Sequence, residues 1–218
     1  MADDSARPVV LFGVGPFASL VWYCLTHDSA RDVAGFAVDA AFRDRDELHG
    51  LPVVDFETVE HRFPTNSHSM LVSISAQQAN TLRRDRYLQA KAKGYGFATY
   101  VSSRAVVWPD LEIGENGIIF EGAIVQPFAR IGVNTIIRSG CHISHHVTVA
   151  DHCFLAPQAC LAGSVHVGER CFIGVNATVR DGVRLGEGGF IAAGAVVTKD
   201  TEPDGLYMGT PARLSRRT

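Results

Sequence analysis

No apolar run in the 218-residue sequence approaches the ~20 residues that a membrane-spanning helix needs, and no membrane partner is expected. Charge of one sign is also scarce. The 20 Lys and Arg are balanced by 23 Asp and Glu, a formal net charge of −3, so nothing resembles an electrostatic footprint for nucleic acid or an anionic surface. The five cysteines contain no Cys-x-x-Cys pair, the usual spacing of a structural zinc or dithiol redox site. The opening Met1-Ala2-Asp3-Asp4 carries two acids and no basic n-region, which leads to the expectation of a cytoplasmic protein with reduced thiols. What the chain does have is 46% hydrophobic residues, enough for real cores in one large or two small domains.

Those apolar residues are not spread evenly. From Val107 to Val197 every sixth residue is aliphatic, sixteen positions without an insertion. Chance would give this about once in 10⁷ to 10⁸ trials at ordinary composition. The residue two before each aliphatic is small or β-branched at all positions but Leu111. A period of six with one large and one small inward residue fits neither a helix nor a simple amphipathic strand. It fits a β-solenoid with three short faces per coil, eighteen residues per turn and about five coils. In that register Cys141, Cys153 and Cys171 take the small inward position and read as compact apolar filler.

The first hundred residues follow another pattern. "PVVLFGVG" reads as a buried strand, "PFASLVWYCLTHD" as a helix with proline in its first turn, and "VAGFAVDA" as a second strand ending at Asp39. "LPVVDFETVEHRF", "SMLVSIS" and "AQQANTLRRDRYLQAKAKG" continue the alternation, predicting a small parallel α/β unit. The first turn, Gly13-Val14-Gly15-Pro16-Phe17-Ala18, matches G-x-G-x-x-A. Its glycines allow a phosphate to approach the helix N-terminus, and Asp39 stands where a carboxylate could bind a ribose or base. A tight turn without a ligand is the alternative.

The segments "VHVGERCFIGVNATV" and "GGFIAAGAVVTKD" resemble the hexapeptide-repeat superfamily of left-handed β-helices. A short Rossmann-like parallel sheet followed by such a helix resembles the nucleotide-sugar acetyltransferases, among them UDP-4-amino-sugar and GDP-perosamine N-acetyltransferases and the sialic acid O-acetyltransferases. The expected organisation is residues 1–102 as an α/β Rossmann-like nucleotide-sugar domain, 103–198 as an all-β left-handed parallel β-helix, and 199–218 as a tail. The resemblance further implies a homotrimer with acetyl-CoA as cosubstrate lying between two subunits, a nucleotide-linked aminosugar as acceptor, and no metal.

The chemistry would centre on "SGCHISHHVTVADHCF", which holds four of the nine histidines. An amine attacking a thioester must lose a proton, and histidine is the natural base. By resemblance the catalytic histidine follows an inward aliphatic by two, which selects His145 after Ile143; the family's usual acidic neighbour is replaced here by His146. The resemblance places Phe154 near the acetyl group and Arg138 at the substrate. It assigns the backbone amides of Gly163, Val175 and Ala193 to the pantetheine arm or the thioester oxygen. The tail "TKDTEPDGLYMGTPARLSRRT" looks like the family's closing segment; Lys199 and Arg213 could hold the CoA phosphates or be solvated surface charge.

Four other functions compete. A γ-carbonic-anhydrase-like metal site needs, by resemblance, two histidines with four residues between, whereas His142 to His146 leaves three and His146 to His152 leaves five. A nicotinamide oxidoreductase is suggested by the glycine turn alone. A non-catalytic trimeric scaffold and sugar O-acetylation complete the set.

Overall fold

The computed structural model describes residues 7–76 and 80–217. The acidic opening, Gln77 to Ala79 of the stretch read as helical, and Thr218 lie outside the described residues. The chain divides into two compact units, one reaching Ser75 and including Arg83–Tyr100, the other running from Val101 and including the short segment that ends at Leu82.

The first unit is built on β1 (Val9–Phe12), whose four residues are all buried, as a central parallel strand requires. Then come α1 (Pro16–Asp28), β2 (Val33–Val38), β3 (Glu47–Leu48), β4 (Leu51–Asp55), α2 (Val59–Arg62), β5 (Ser69–Val72), α3 (Thr81–Ala92) and β6 (Gly96–Phe97). The sheet order is β3-β4-β2-β1-β5-β6. All pairings are parallel except the β3–β4 hairpin. Since β2 lies on one side of β1 and β5 on the other, the chain reverses its direction of travel at β1. The turn after β1 therefore opens at a topological switch point, the usual ligand crevice of such sheets.

The second unit is a parallel β-helix. Its two-residue strands pair with strands eighteen residues on, as in Ile137↔Leu155, Ile143↔Leu161 and Val149↔Val167. Three parallel sheets result, and the aliphatics read from the sequence fill the interior with the small residues between them. The hairpin of Gly205–Met208 and Arg213–Arg217 continues the sheet beyond Phe190–Ile191 and covers its last edge.

Cys141, Cys153 and Cys171 are fully buried. Each donates its S–H to a carbonyl 3.1 Å away, those of Ala156, Gly168 and Gly186 respectively. Burial pushes the Cys141 thiol up from 9.0 to about 11. The native state thus keeps a proton that the unfolded chain releases above pH 9, and the stability this confers is present below pH 9 and lost as pH climbs toward 11. Denaturant titrations at pH 8 and pH 10 should show the wild type losing on the order of 1 kcal/mol more than Cys141→Val over that interval. Equal losses would exclude Cys141 as the source.

The corners between faces are tight and place one residue in the left-handed region. Asn116, Asn134 and His152 have φ of 56°, 52° and 62° on successive coils of one edge. Asn and His tolerate this region better than branched residues. All three are buried and form a polar ladder, with Asn116 Nδ2 donating to Asn134 Oδ1 at 2.7 Å and Asn134 Nδ2 lying 2.9 Å from His152 Nδ1. His152 of the histidine-rich stretch is accordingly a ladder residue.

Candidate active site

His145 occupies the corner that follows the strand His142–Ile143. Eighteen-residue stacking places Pro127, His145, Gly163 and Asp181 on one edge of the β-helix, each one coil beyond the last. The His145 side chain is exposed, and its backbone N–H donates to Gln126 Oε1 at 2.9 Å. Its Nδ1 lies 3.2 Å from His146 Nδ1. One of these nitrogens donates and the other accepts. With the proton on His145 Nδ1, its Nε2 keeps the lone pair that a base uses.

His146 sits at the left-handed corner position with φ 60°, directly after Phe128 on the preceding coil with φ 66°. Their rings are 4.8 Å apart. Positive φ recurs at this corner position along the β-helix, as at Asn134, His152 and Asn176, so what distinguishes this corner is the pair of aromatic side chains it carries. Phe128 is 68% exposed and, with Trp108, Asp110, Gln126 and His146, lines a cavity of about 390 Å³.

The resemblance-based ligand residues do not gather around His145 within one chain. Val175 and Ala193 lie on a different edge, after the strands Phe172–Ile173 and Phe190–Ile191, and both are exposed. Among the described residues none accepts a hydrogen bond from either N–H. Gly163 shares the His145 edge, but its N–H donates to Asp181 Oδ1 at 2.9 Å. The amide expected to meet the cofactor thus has an exposed carboxylate as its partner within the chain. Asp181 lies outside the residues that the resemblance selects; the signal that finds it is its place two coils beyond His145.

Phe154, expected near the acetyl group, is largely covered within the chain. It is 6% exposed and belongs to an outward apolar row with Ile136 and Phe172, its ring stacked on Phe172 at 5.7 Å. That stack belongs to the sheet whose strands Phe172–Ile173 and Phe190–Ile191 precede Val175 and Ala193. Arg138 starts the corner two coils before Gly174 and holds its guanidinium over the Phe120 ring at 4.9 Å. Lys199 follows Asp181 by one coil, whereas Arg213 lies on the terminal hairpin. Among the described residues no three His, Cys, Asp or Glu side chains are grouped to hold a metal ion.

In the first unit Gly13 has φ 120°, and a Cβ there would stand 2.9 Å from Ile74 Cγ2 and 3.1 Å from Ser73 O; only glycine fits. Gly15 is the N-cap of α1 with Pro16 at its first turn. A Cβ on Gly15 would meet nothing within 4 Å, so the space before the helix N-terminus is open. Phe17 is half-buried beside it. Asp39, expected to meet a ribose or base, is part of an ion pair. Arg86 grips it through Nη2 at 2.7 Å and Nε at 3.1 Å, because α3 brings that arginine to the end of β2. An open cavity of about 630 Å³ adjoins the pair, lined also by Phe42, Glu57 and Lys93.

Comparison with known proteins agrees with this architecture. Residues 164–199 match the family described as the hexapeptide repeat of succinyl-transferase. The structure of PerB from Caulobacter crescentus, in complex with CoA and GDP-perosamine, is 30% identical and superposes with a TM-score of 0.85, covering 96% of this chain and 97% of that one. The chain belongs to this acetyltransferase family. A histidine-to-asparagine variant of perosamine N-acetyltransferase from the same organism, with the same two ligands, gives 29% identity and a TM-score of 0.86 over 96% and 97% of the two chains. The acetyltransferase domain of PglB from Neisseria gonorrhoeae FA1090, at 22% identity, a TM-score of 0.84 and 96% and 99% coverage, shares the fold. No curated protein matches the sequence significantly. No helix among the described residues is long and apolar enough to cross a membrane.

Proposed function

We propose that the protein transfers the acetyl group of acetyl-CoA to the amino group of a nucleotide-linked aminosugar, with His145 as general base. The observation that carries the reading is the His145 ring, exposed on a β-helix edge with Nδ1 beside His146, in a chain that aligns over 96% of its length with an acetyltransferase holding CoA and an aminosugar nucleotide. The amine attacks the thioester carbonyl while Nε2 of His145 takes its proton. The tetrahedral oxyanion collapses and expels the CoA thiolate, which recovers that proton from the imidazolium. The N–H groups of Val175 and Ala193 are the donors for the pantetheine arm or the developing oxyanion.

Those donors and His145 occupy different edges of one chain, so a linear cofactor touches both only where unlike edges of two copies meet. A closed ring of three copies satisfies this, giving a homotrimer. The first unit, a Rossmann-like sheet, holds the nucleotide at Gly13, Gly15, Pro16 and Phe17, with the phosphate at the N-terminus of α1. Asp39 contributes there as a pair with Arg86. Arg138 faces substrate from the β-helix, and Lys199 and Arg213 hold the CoA phosphates. We place the enzyme in the cytoplasm, where its thiols stay reduced.

Incubation with acetyl-CoA and a panel of UDP-, dTDP- and GDP-linked aminosugars should release thiol and yield an N-acetylated product. Light scattering should report three copies of 23.5 kDa, about 70 kDa. Thiol release with hydroxyl-only sugar nucleotides and none with aminosugars would replace N- by O-acetylation. Substitution at the glycine turn separates the two ligand sites. Since the space at Gly15 is open, Gly15→Trp should fold, raise the Michaelis constant for the sugar nucleotide about tenfold or more, and leave that for acetyl-CoA within about twofold. Equal effects on both would overturn the assignment of the turn.

A further inference from the structure

The space directly above the Gly163 Cα is occupied. A Cβ built there would stand 2.7 Å from His145 Cε1 and 3.1 Å from His145 Nε2. Gly163 has no left-handed φ to excuse its lack of a side chain; the obstacle to alanine is the imidazole itself, together with Asp181 Oδ1 at 3.1 Å from the same point. The turn carrying Gly163 is tied upward by its N–H to Asp181 Oδ1 at 2.9 Å. It is tied downward by the N–H of Ser164 to the His145 carbonyl at 3.0 Å.

We infer that Gly163 and Asp181 are positioning residues for His145: Gly163 is the bare seat on which the imidazole lies, and Asp181 sets the height of that seat. The inference rests on the reading of His145 as the base and adds a steric role for Gly163 to the cofactor contact expected of its N–H. The ring is bounded on its Nδ1 side by His146 and on its Nε2 side by the seat, which leaves Nε2 a restricted arc in which to meet the amine. Other charged groups share the edge. Arg180 precedes Asp181, Lys199 follows it by one coil, and Asp110 lies two coils before His146. All are exposed, and the seat works through steric contact and one hydrogen bond, without needing their charge.

The test is a set of variants of the full-length protein, assayed with acetyl-CoA and the aminosugar nucleotide that the panel identifies. Gly163→Ala must displace the ring by enough to clear 2.7 Å. Because misplacement of a reacting group by about 1 Å can cost about 10²-fold, it should lower kcat by about tenfold to 10²-fold with both Michaelis constants within about twofold. Adding it to His145→Asn should then have almost no further effect, since the ring it displaces is gone. Asp181→Asn, which keeps an oxygen acceptor for the Gly163 N–H, should retain turnover within about threefold, and Asp181→Ala should lose about tenfold. Wild-type kcat in Gly163→Ala, or full additivity with His145→Asn, overturns the inference while leaving the base assignment standing. A raised Michaelis constant for acetyl-CoA alone would leave Gly163 as a cofactor donor only and overturn the inference. If Gly163→Ala does not fold, the Asn-against-Ala contrast at Asp181 decides: equal losses overturn the inference. Retention of turnover by His145→Asn removes the base reading and the inference with it.

Discussion

His145→Asn should lower turnover by about 10² to 10⁴-fold, equivalent to about 3–5 kcal/mol of transition-state stabilisation, the usual effect of removing a general base. The magnitude follows from where the side chain sits. His145 is exposed at a corner, its neighbours Ile143 and Val147 fill the core, and its backbone N–H is held by Gln126. None of these is disturbed by an asparagine. Assembly, melting temperature and CoA affinity should therefore stay at wild-type values, so the loss would fall on kcat. Steady-state kinetics with calorimetric CoA titration provide the check. A variant that retains most of its turnover would show that the proton leaves by another route, and His146 would be the first alternative to measure.

The second large effect is expected at His146. The structure places its Nδ1 3.2 Å from that of His145, so the neighbour that replaces the family's acid is in position to accept the His145 Nδ1 proton and keep Nε2 unprotonated. Loss of that partner should reduce turnover by about 10 to 10²-fold, and the double variant with His145→Asn should be no slower than His145→Asn alone. Backbone conformation complicates the choice of substitution. With φ at 60°, alanine keeps the Cβ strain that histidine already carries, whereas glycine and asparagine accept this region readily. His146→Gly should thus show the kinetic loss without loss of stability. His146→Asn, whose Oδ1 can accept the same proton, should recover much of it. If Gly and Asn variants are equally impaired, the hydrogen bond is not what His146 contributes, and its packing on Phe128 becomes the better explanation.

The sequence alone determined the β-helix, its register and the corner location of His145, because each follows from a local rule. A residue every sixth position must point inward if the faces are flat, and eighteen residues close a coil, so the pairings Ile137↔Leu155 and Ile143↔Leu161 were already implied by spacing. The three inward cysteines and the bounds of α1, with Gly15 before Pro16, were legible for the same reason. Tertiary structure decided which polar groups were already engaged. Asp39 meets Arg86 across 47 positions of sequence, and Gly163 meets Asp181 across 18. The period brings Gly163 and Asp181 to adjacent coils without showing the hydrogen bond between them, and the Asp39–Arg86 pair follows from no period at all; both depend on side-chain torsions and on which acceptor the fold brings within 3 Å. Phe154 shows the same division: its outward register was predictable, but only the assembled face shows that the ring stacks on Phe172 and is covered. Periodicity is a property of the backbone path and survives in one dimension. Hydrogen-bond partnership and burial belong to pairs of surfaces that exist only once the coils have stacked.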